Sequence, residues 1–273
     1  MKRIEDYIGT AIYTTVLLFA GLFLVMPMIV AVVLSFDARS FLGAFPPTEF
    51  SLRWYREFLS DDYLHRGLYT SLIVSTIATL VSTVLGTFAA IAIDRGRFKG
   101  RATLEAMFLS PLIIPTVVTG FAVLIFTASL GIMDGLTRLI LGHILITFPY
   151  ILRTVLAVLS GVPKRYTEAA LSLGAKPWLA TIEVTLPLAR SGIIAGAIFA
   201  FVMSFDEVAV SLFLSDPFTY TLPVALLTQM RASLNLTIAA ISVIFLVVSV
   251  LLILALDKLA GVETLTGRGV YGR

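Results

Sequence analysis

The chain has 273 residues, 58% of them hydrophobic and only 14% charged, with a net charge of +3 and a mean hydropathy of +0.98. Soluble domains carry about 25% charge, so this chain lacks the polar surface to be solvated on all sides and reads as a membrane protein. It has no cysteine and two distant histidines, His65 and His143, which excludes a disulfide framework, an iron–sulfur or cysteine–zinc site and a three-histidine metal site.

The first apolar run, Tyr7–Phe36, is free of charge. It exceeds the 7–15-residue apolar core of a signal peptide and no small-residue cleavage site follows it. It therefore reads as the first transmembrane helix. Segment 37–66 follows, containing "PPTEFSLRWYREFLSDDYL". Leu52, Tyr55 and Leu59 fall at helical spacing, which predicts a short amphipathic helix, with Trp54 and Tyr55 suited to the headgroup zone. It reads as a lid on the membrane or as a docking surface for an outer partner.

Gly67–Ile93 and Ala106–Met133 are again free of charge. About 20 apolar residues cross the hydrocarbon core, so both predict spans. The second carries Pro111, Pro115 and Gly120; prolines kink a helix and free carbonyls that a transport path can use. Leu139–Ser160 is interrupted by His143 and Arg153, and Ser191–Leu214 by Asp206 and Glu207. His143 reads as a hydrogen-bonded packing residue. Ala232–Leu256 is the last apolar run. Only helices and closed barrels satisfy their backbone in lipid, and runs this long exclude barrel strands. The expectation is an all-α integral membrane protein forming one domain over 1–273, with six spans at about 11–36, 67–93, 104–130, 138–160, 191–214 and 234–256.

Orientation follows from Lys and Arg. With the N-terminus inside, segments 1–10, 94–101, 161–190 and 257–273 hold 13 of the 20 cations, and the three outer segments hold six. Both termini are then cytoplasmic. The basic loop "DRGRFKGR" (94–101) is the clearest anchor, and the same rule accounts for it without a nucleic-acid partner.

Segment 161–190 reads as a polar cytoplasmic insert, and "YTEAALSLGAKPWLATIEVTLPLARSG" runs through most of it, from Tyr166 to Gly192. Thr167 is placed to cap a helix starting at Glu168, whose carboxylate suits a first turn. Gly174 fits the helix end. Pro177 starts a second short helix, which Leu186-Pro187 ends. The insert reads as helix, glycine turn, helix on the inner face, either docking a partner or resting on lipid headgroups.

Glu168-Ala169-Ala170, three residues, Gly174, nine residues, then Val184-Thr185-Leu186-Pro187 resemble the E-A-A-x3-G-x9-I-x-L-P loop of ABC importer permeases. Only the isoleucine departs, as Val184. "MPMIVAVVLSF", "LRWYREFLSDD", "SPLIIPTVVTG" and "SFDEVAVSLFLSDPFTYTLP" are similar to the spermidine/putrescine-type permeases of that family. The resemblance implies a bacterial inner-membrane subunit whose Glu168, Ala169, Ala170, Leu171 and Gly174, with Leu186 and Pro187, couple to a cytoplasmic ATPase. It implies two ATPase subunits, a second homologous permease (a heterodimer rather than a homodimer) and a periplasmic substrate-binding protein. ATP and Mg would belong to the ATPase, with no cofactor on this chain. The chain has no G-x-x-x-x-G-K-[ST] phosphate loop of its own.

Ionised residues inside a span mark functional sites by default. Asp206 and Glu207 are therefore candidates for a substrate path taking a polyamine or other amine-bearing solute, or they sit wet at the outer mouth. Phe205, Phe148, Tyr150 and Tyr220 are candidates for cation–π contact. Polyamine permeases often carry an acid where this chain has Thr116, so Thr116 points to a solute with fewer charges. A secondary transporter driven by H⁺ or Na⁺, using His143, Asp206 and Glu207, is the competing reading. A membrane enzyme has no H-E-x-x-H or G-x-S-x-G to support it.

Overall fold

The computed structural model describes residues 2–41, 43–96, 98–232 and 236–260. Arg97 of the basic loop and residues 261–273 of the expected cytoplasmic C-terminus lie outside them. The described residues are helical apart from loops and one isolated antiparallel bridge between Asp37 and Phe50. In chain order the helices are α1 (Lys2–Ser35), α2 (Arg53–Ser60), α3 (Asp62–Arg95), α4 (Arg101–Leu109), α5 (Thr116–Ser129), α6 (Gly135–Ser160), α7 (Arg165–Ser172), α8 (Pro177–Ala180), α9 (Leu186–Phe205), α10 (Ala209–Leu214), α11 (Leu222–Ala232) and α12 (Thr237–Ala260). Residue contacts divide the chain into two compact units, 62–227 with 249–273, and 1–61 with 228–248.

The larger unit is organised by α3, α6 and α9. Lipid tails are as apolar as leucine, so association within a membrane depends on close packing rather than on a hydrophobic drive. The sequence of α3 provides for this. Gly67, Ser71, Ser75, Ala78, Ser82, Gly86 and Ala90 recur every three to four residues, and all are buried. A side chain on Gly86 would come within 2.9 Å of Ile151 Cβ on α6, and one on Gly192 of α9 within 2.8 Å of Val158 Cγ2. Ile151, Leu152 and Val155 fill the seam with Ala90, Ala189 and Ala200. The Ser82 and Thr147 hydroxyls meet at 2.7 Å across it. Such bonds average about 0.6 kcal/mol in a membrane, so packing at the small residues carries most of the stability.

Among the described residues, four helices are long and apolar enough to span: Gly9–Ser35, Asp62–Arg95, Gly135–Ser160 and Pro177–Phe205. A fifth arises if the bent pair Arg101–Leu112 and Thr116–Ser129 is counted as one. The described apolar part of α12, Thr237–Leu251, is shorter. The expected span 104–130 is thus not one straight helix: it bends by 103°. Pro111 enters a 3₁₀ turn over Ser110–Leu112, and Pro115, with ψ 131°, closes one helix and precedes the next. Neither proline has an N–H to return to the helix.

The expected span 191–214 is also revised at both ends. Leu186-Pro187 does not end the helix that Pro177 begins. A π-turn over Thr181–Thr185, closed by the Leu186 N–H on the Thr181 carbonyl, joins α8 to α9. Widening the turn before Pro187 relieves the crowding its ring would cause in a regular helix. At the other end α9 stops at Phe205 and α10 restarts at Ala209, so Asp206 and Glu207 lie at a break.

In the smaller unit, α2 buries a different face from the one expected. Trp54 and Phe58 point inward while Leu52 and Leu59 are exposed. In a helix of two turns, the largest apolar pair at i, i+4 dominates the burial. Trp54 is 2% exposed. Its Nε1 donates to the Asp37 carbonyl at 2.7 Å, and Leu236 and Ala240 pack against it. Beside it, a side-chain hydrogen bond from Arg39 holds the Asp37 carboxyl below the usual range.

Candidate coupling loop and substrate path

The polar insert 161–190 is anchored at its start to the end of α3. Lys164 Nζ donates to the Asp94 carbonyl at 2.9 Å, and an Arg95 guanidinium nitrogen reaches the Val162 carbonyl at 3.4 Å. Arg95 also pairs with Asp94 at 3.2 Å. Helix α7 begins at Arg165, three residues before the expected start, and Thr167 does not cap it. A free Thr hydroxyl inside a first turn seeks another partner, and Thr167 Oγ1 meets Thr185 Oγ1 at 3.2 Å. That contact ties α7 to the π-turn.

The end of α7 matches the glycine expectation in detail. The Ala175 N–H bonds to the Ala170 carbonyl at 3.1 Å and the Gly174 N–H to the Leu171 carbonyl at 3.0 Å. This is the paired pattern of a Schellman cap, with Gly174 in the left-handed region at φ +91°. A β-carbon there meets no steric clash with neighbours; the backbone conformation itself demands glycine.

Glu168 lies in the first turn of α7. Glu168 and Ala169 are exposed and Ala170 is half-buried. Around them Tyr166, Leu171, Leu173, Trp178 and Ile182 present apolar surface, with Leu173 89% and Trp178 60% exposed. Exposed apolar side chains of this kind suit contact with a partner or with lipid headgroups. Leu186 and Pro187 stand apart from them: Leu186 packs against the α3–α6–α9 core and Pro187 is exposed at the start of α9.

At the far end of α9 the two acids separate. Glu207 Oε1 accepts from the Ala209 and Val210 N–H groups at 2.8 and 3.0 Å, capping α10. Asp206 is exposed, and its carboxylate makes no hydrogen bond or ion pair among the described residues. The break is held from α6. His143, 1% exposed, places Nδ1 2.7 Å from Ser204 Oγ and Nε2 2.9 Å from Ser211 Oγ. One ring nitrogen of a neutral histidine donates and the other accepts, so rotatable hydroxyls satisfy both. The two serines flank the acids, one at the end of α9 and one in α10. Sequence reasoning identified His143 as a packing residue but missed these partners, whose signal is a serine on each side of Asp206-Glu207.

The aromatic candidates do not converge. Tyr220 is buried on Tyr63, with ring centroids 4.5 Å apart. Phe148 meets Phe108 edge-on within the core, Tyr150 meets Phe199, and Phe205 stacks on Phe201 one turn back. Thr116 is exposed at the first position of α5. One turn later, a side chain on Gly120 would come within 3.0 Å of Val210 Cα. The start of α5 and the Asp206 break therefore belong to neighbouring segments.

A family model described as "binding-protein-dependent transport system inner membrane component" matches residues 82–260. The spermidine/putrescine transport system permease protein PotC of Escherichia coli (strain K12) is 28% identical over 242 residues, 89% of this chain and 91% of its own. The putrescine transport system permease protein PotI of the same organism is 30% identical over 238 residues, 85% and 84%. Among solved structures, a bacterial ABC transporter involved in the import of the acidic polysaccharide alginate aligns with a TM-score of 0.75 at 14% identity, covering 93% of this chain and 97% of that one. The MetNI methionine ABC transporter aligns at 0.61 and 20% identity, covering 72% and 94%. The ion-driven alternative finds no support in these relatives. The chain belongs to the binding-protein-dependent transport system inner membrane component family: it is a membrane-embedded permease subunit of an ABC importer and not an enzyme.

Proposed function

We propose that this permease crosses the inner membrane six times with both termini cytoplasmic, and that α7 docks into an ABC ATPase. The observation that carries the docking assignment is the glycine-capped, apolar surface of α7, fixed to the inner end of α3 by Lys164 and Arg95. Two ATPase subunits, holding ATP and Mg, supply the energy. A second homologous permease completes the path, and a periplasmic binding protein delivers the solute. Closure of the ATPases draws the two α7 helices together, and α9, continuous from the π-turn to Phe205, carries that movement to the Asp206 break.

The solute is a small amine-bearing compound. The relatives named for spermidine and putrescine support this class, and Asp206 supplies an unpaired carboxylate at the break. Glu207 is committed to capping α10, and Thr116 adds no charge, which favours a solute with fewer charges than a long polyamine. Purification of the chain from native membranes in mild detergent, followed by mass spectrometry, tests the assembly. An ATPase, a second permease and a binding protein are expected with wild type, and the ATPase is expected to be lost with Glu168→Ala/Gly174→Asp. Recovery of the wild-type chain alone would overturn the reading.

A further inference from the structure

A cleft of about 610 Å³ opens between α4 and α6, lined by Glu105, Leu109, Leu112, Ile113, Arg153, Leu156 and Ala157. Its two charges are opposite in sign, yet among the described residues neither makes a hydrogen bond or ion pair with the other or with any third group. Arg153 is exposed and Glu105 half-buried. Unpaired charges in an apolar wall are costly, and they persist where water or a complementary ligand meets them.

Their depth narrows the choice. Arg153 lies seven residues before the end of α6, roughly 10 Å at 1.5 Å per residue. Glu105 lies four residues after the start of α4, roughly 6 Å by the same measure. With the basic loop 94–101 on the cytoplasmic side, both charges sit near the headgroup boundary of the inner leaflet, within reach of a snorkelling side chain. The remaining wall, Leu109, Leu112, Ile113, Leu156 and Ala157, is apolar as an acyl chain requires.

We infer that this cleft binds one phospholipid with a zwitterionic, ammonium-bearing headgroup from the inner leaflet, its phosphate on Arg153 and its ammonium on Glu105. Charge complementarity selects the class. An anionic headgroup satisfies Arg153 but meets Glu105 as a like charge, whereas the zwitterion answers both. Guanidinium to phosphate is a strong charge-assisted pairing. The inference rests on the proposed orientation of the chain.

The test uses the purified complex in nanodiscs containing equal parts of phosphatidylethanolamine and phosphatidylglycerol. Retained lipid is counted by native mass spectrometry, and contact is mapped with a photoactivatable ethanolamine-headgroup lipid. Phosphatidylethanolamine is expected to be retained over phosphatidylglycerol and to label peptides from both α4 and α6. Arg153→Glu and Glu105→Arg are each expected to lower its retention roughly tenfold, the size of one lost charge-assisted bond. The double swap, which keeps both signs in the cleft, is expected to recover it. Equal retention of both lipids, single variants without effect, or labelling replaced by cross-links to a second permease or by bound solute would each overturn the site. ATPase recovery in the same samples separates this failure from failure of the importer reading.

Discussion

The two ends of the helical run Pro177–Phe205 are built by different rules. At the Pro177 end, the adjoining α7 is shaped by its own few residues: a glycine at φ +91°, two cap hydrogen bonds and a proline that starts the next turn. At the other end the break at Asp206–Val208 is held by a residue over sixty positions away, through His143 on Ser204 and Ser211. The first end is a locally fixed surface, which the proposed docking would use. The second is a gap in a helix whose geometry belongs to the fold around it. A device that must meet a separate subunit gains from local rigidity, and one that must change with transport state gains from being held by replaceable side-chain bonds.

Substitution should separate the two ends. Gly174→Val has the largest expected effect. A β-branched residue is badly matched to positive φ, a strain of roughly 1–3 kcal/mol, and the cap should open. Uptake and ATPase recovery should both fall to background in transport and pull-down assays, with the chain still inserted at normal level. Gly174→Asn, which tolerates the left-handed region, should retain most of both. If Gly174→Val transported normally, the local-rigidity half of the comparison would fail.

His143→Phe comes next. It leaves the Ser204 hydroxyl without its ring partner, at a cost of about 1–3 kcal/mol for a buried group left unpaired, while Ser211 keeps its bond to the Glu207 carbonyl. The thermal midpoint in detergent should fall while ATPase recovery stays intact, because α7 does not depend on the break. Gly86→Leu should lower the midpoint by a comparable amount through overpacking against Ile151, about 1–3 kcal/mol.

The two acids give the finest contrast. Asp206→Asn should raise the KM for amine uptake roughly tenfold, the loss of one charge-assisted contact, without changing the midpoint. Glu207→Gln keeps an oxygen that can accept from Ala209 and Val210, so its uptake should stay near wild type. Glu207→Ala should cost about 1 kcal/mol of stability by removing the cap. Equal uptake defects from Asp206→Asn and Glu207→Gln would mean that the capping role does not distinguish them.

The same divide explains what the sequence made legible. The spacing of Glu168, Gly174 and Pro177 is local, so the cap and the short helices could be read directly, apart from the start of α7. The long apolar helices followed from run length, whereas the small-residue stripe of α3 emerged only with its packing against α6. Two breaks were hidden. Apolar composition continues through Pro111–Pro115, so hydropathy alone does not show the 103° bend, and the acids Asp206 and Glu207 interrupt their run without showing that α9 ends there. Leu186-Pro187 looked like a helix end because a π-turn leaves no mark in composition. On α2, counting leucines favoured the wrong face, since burial went to the larger Trp54 and Phe58. The serine partners of His143 required the three-dimensional approach of α6 to α9 and α10.

The absence of native cysteine makes one measurement especially direct. A single cysteine at Ser172, exposed at the end of α7, would carry a maleimide–benzophenone cross-linker in native membranes, with a cysteine at Ser60, at the end of α2, as the control. The account predicts a photo-adduct with an ATPase subunit from position 172 and none from position 60. Adducts from position 172 confined to lipid, with the ATPase present in the membrane and unlabelled, would contradict the docking of α7.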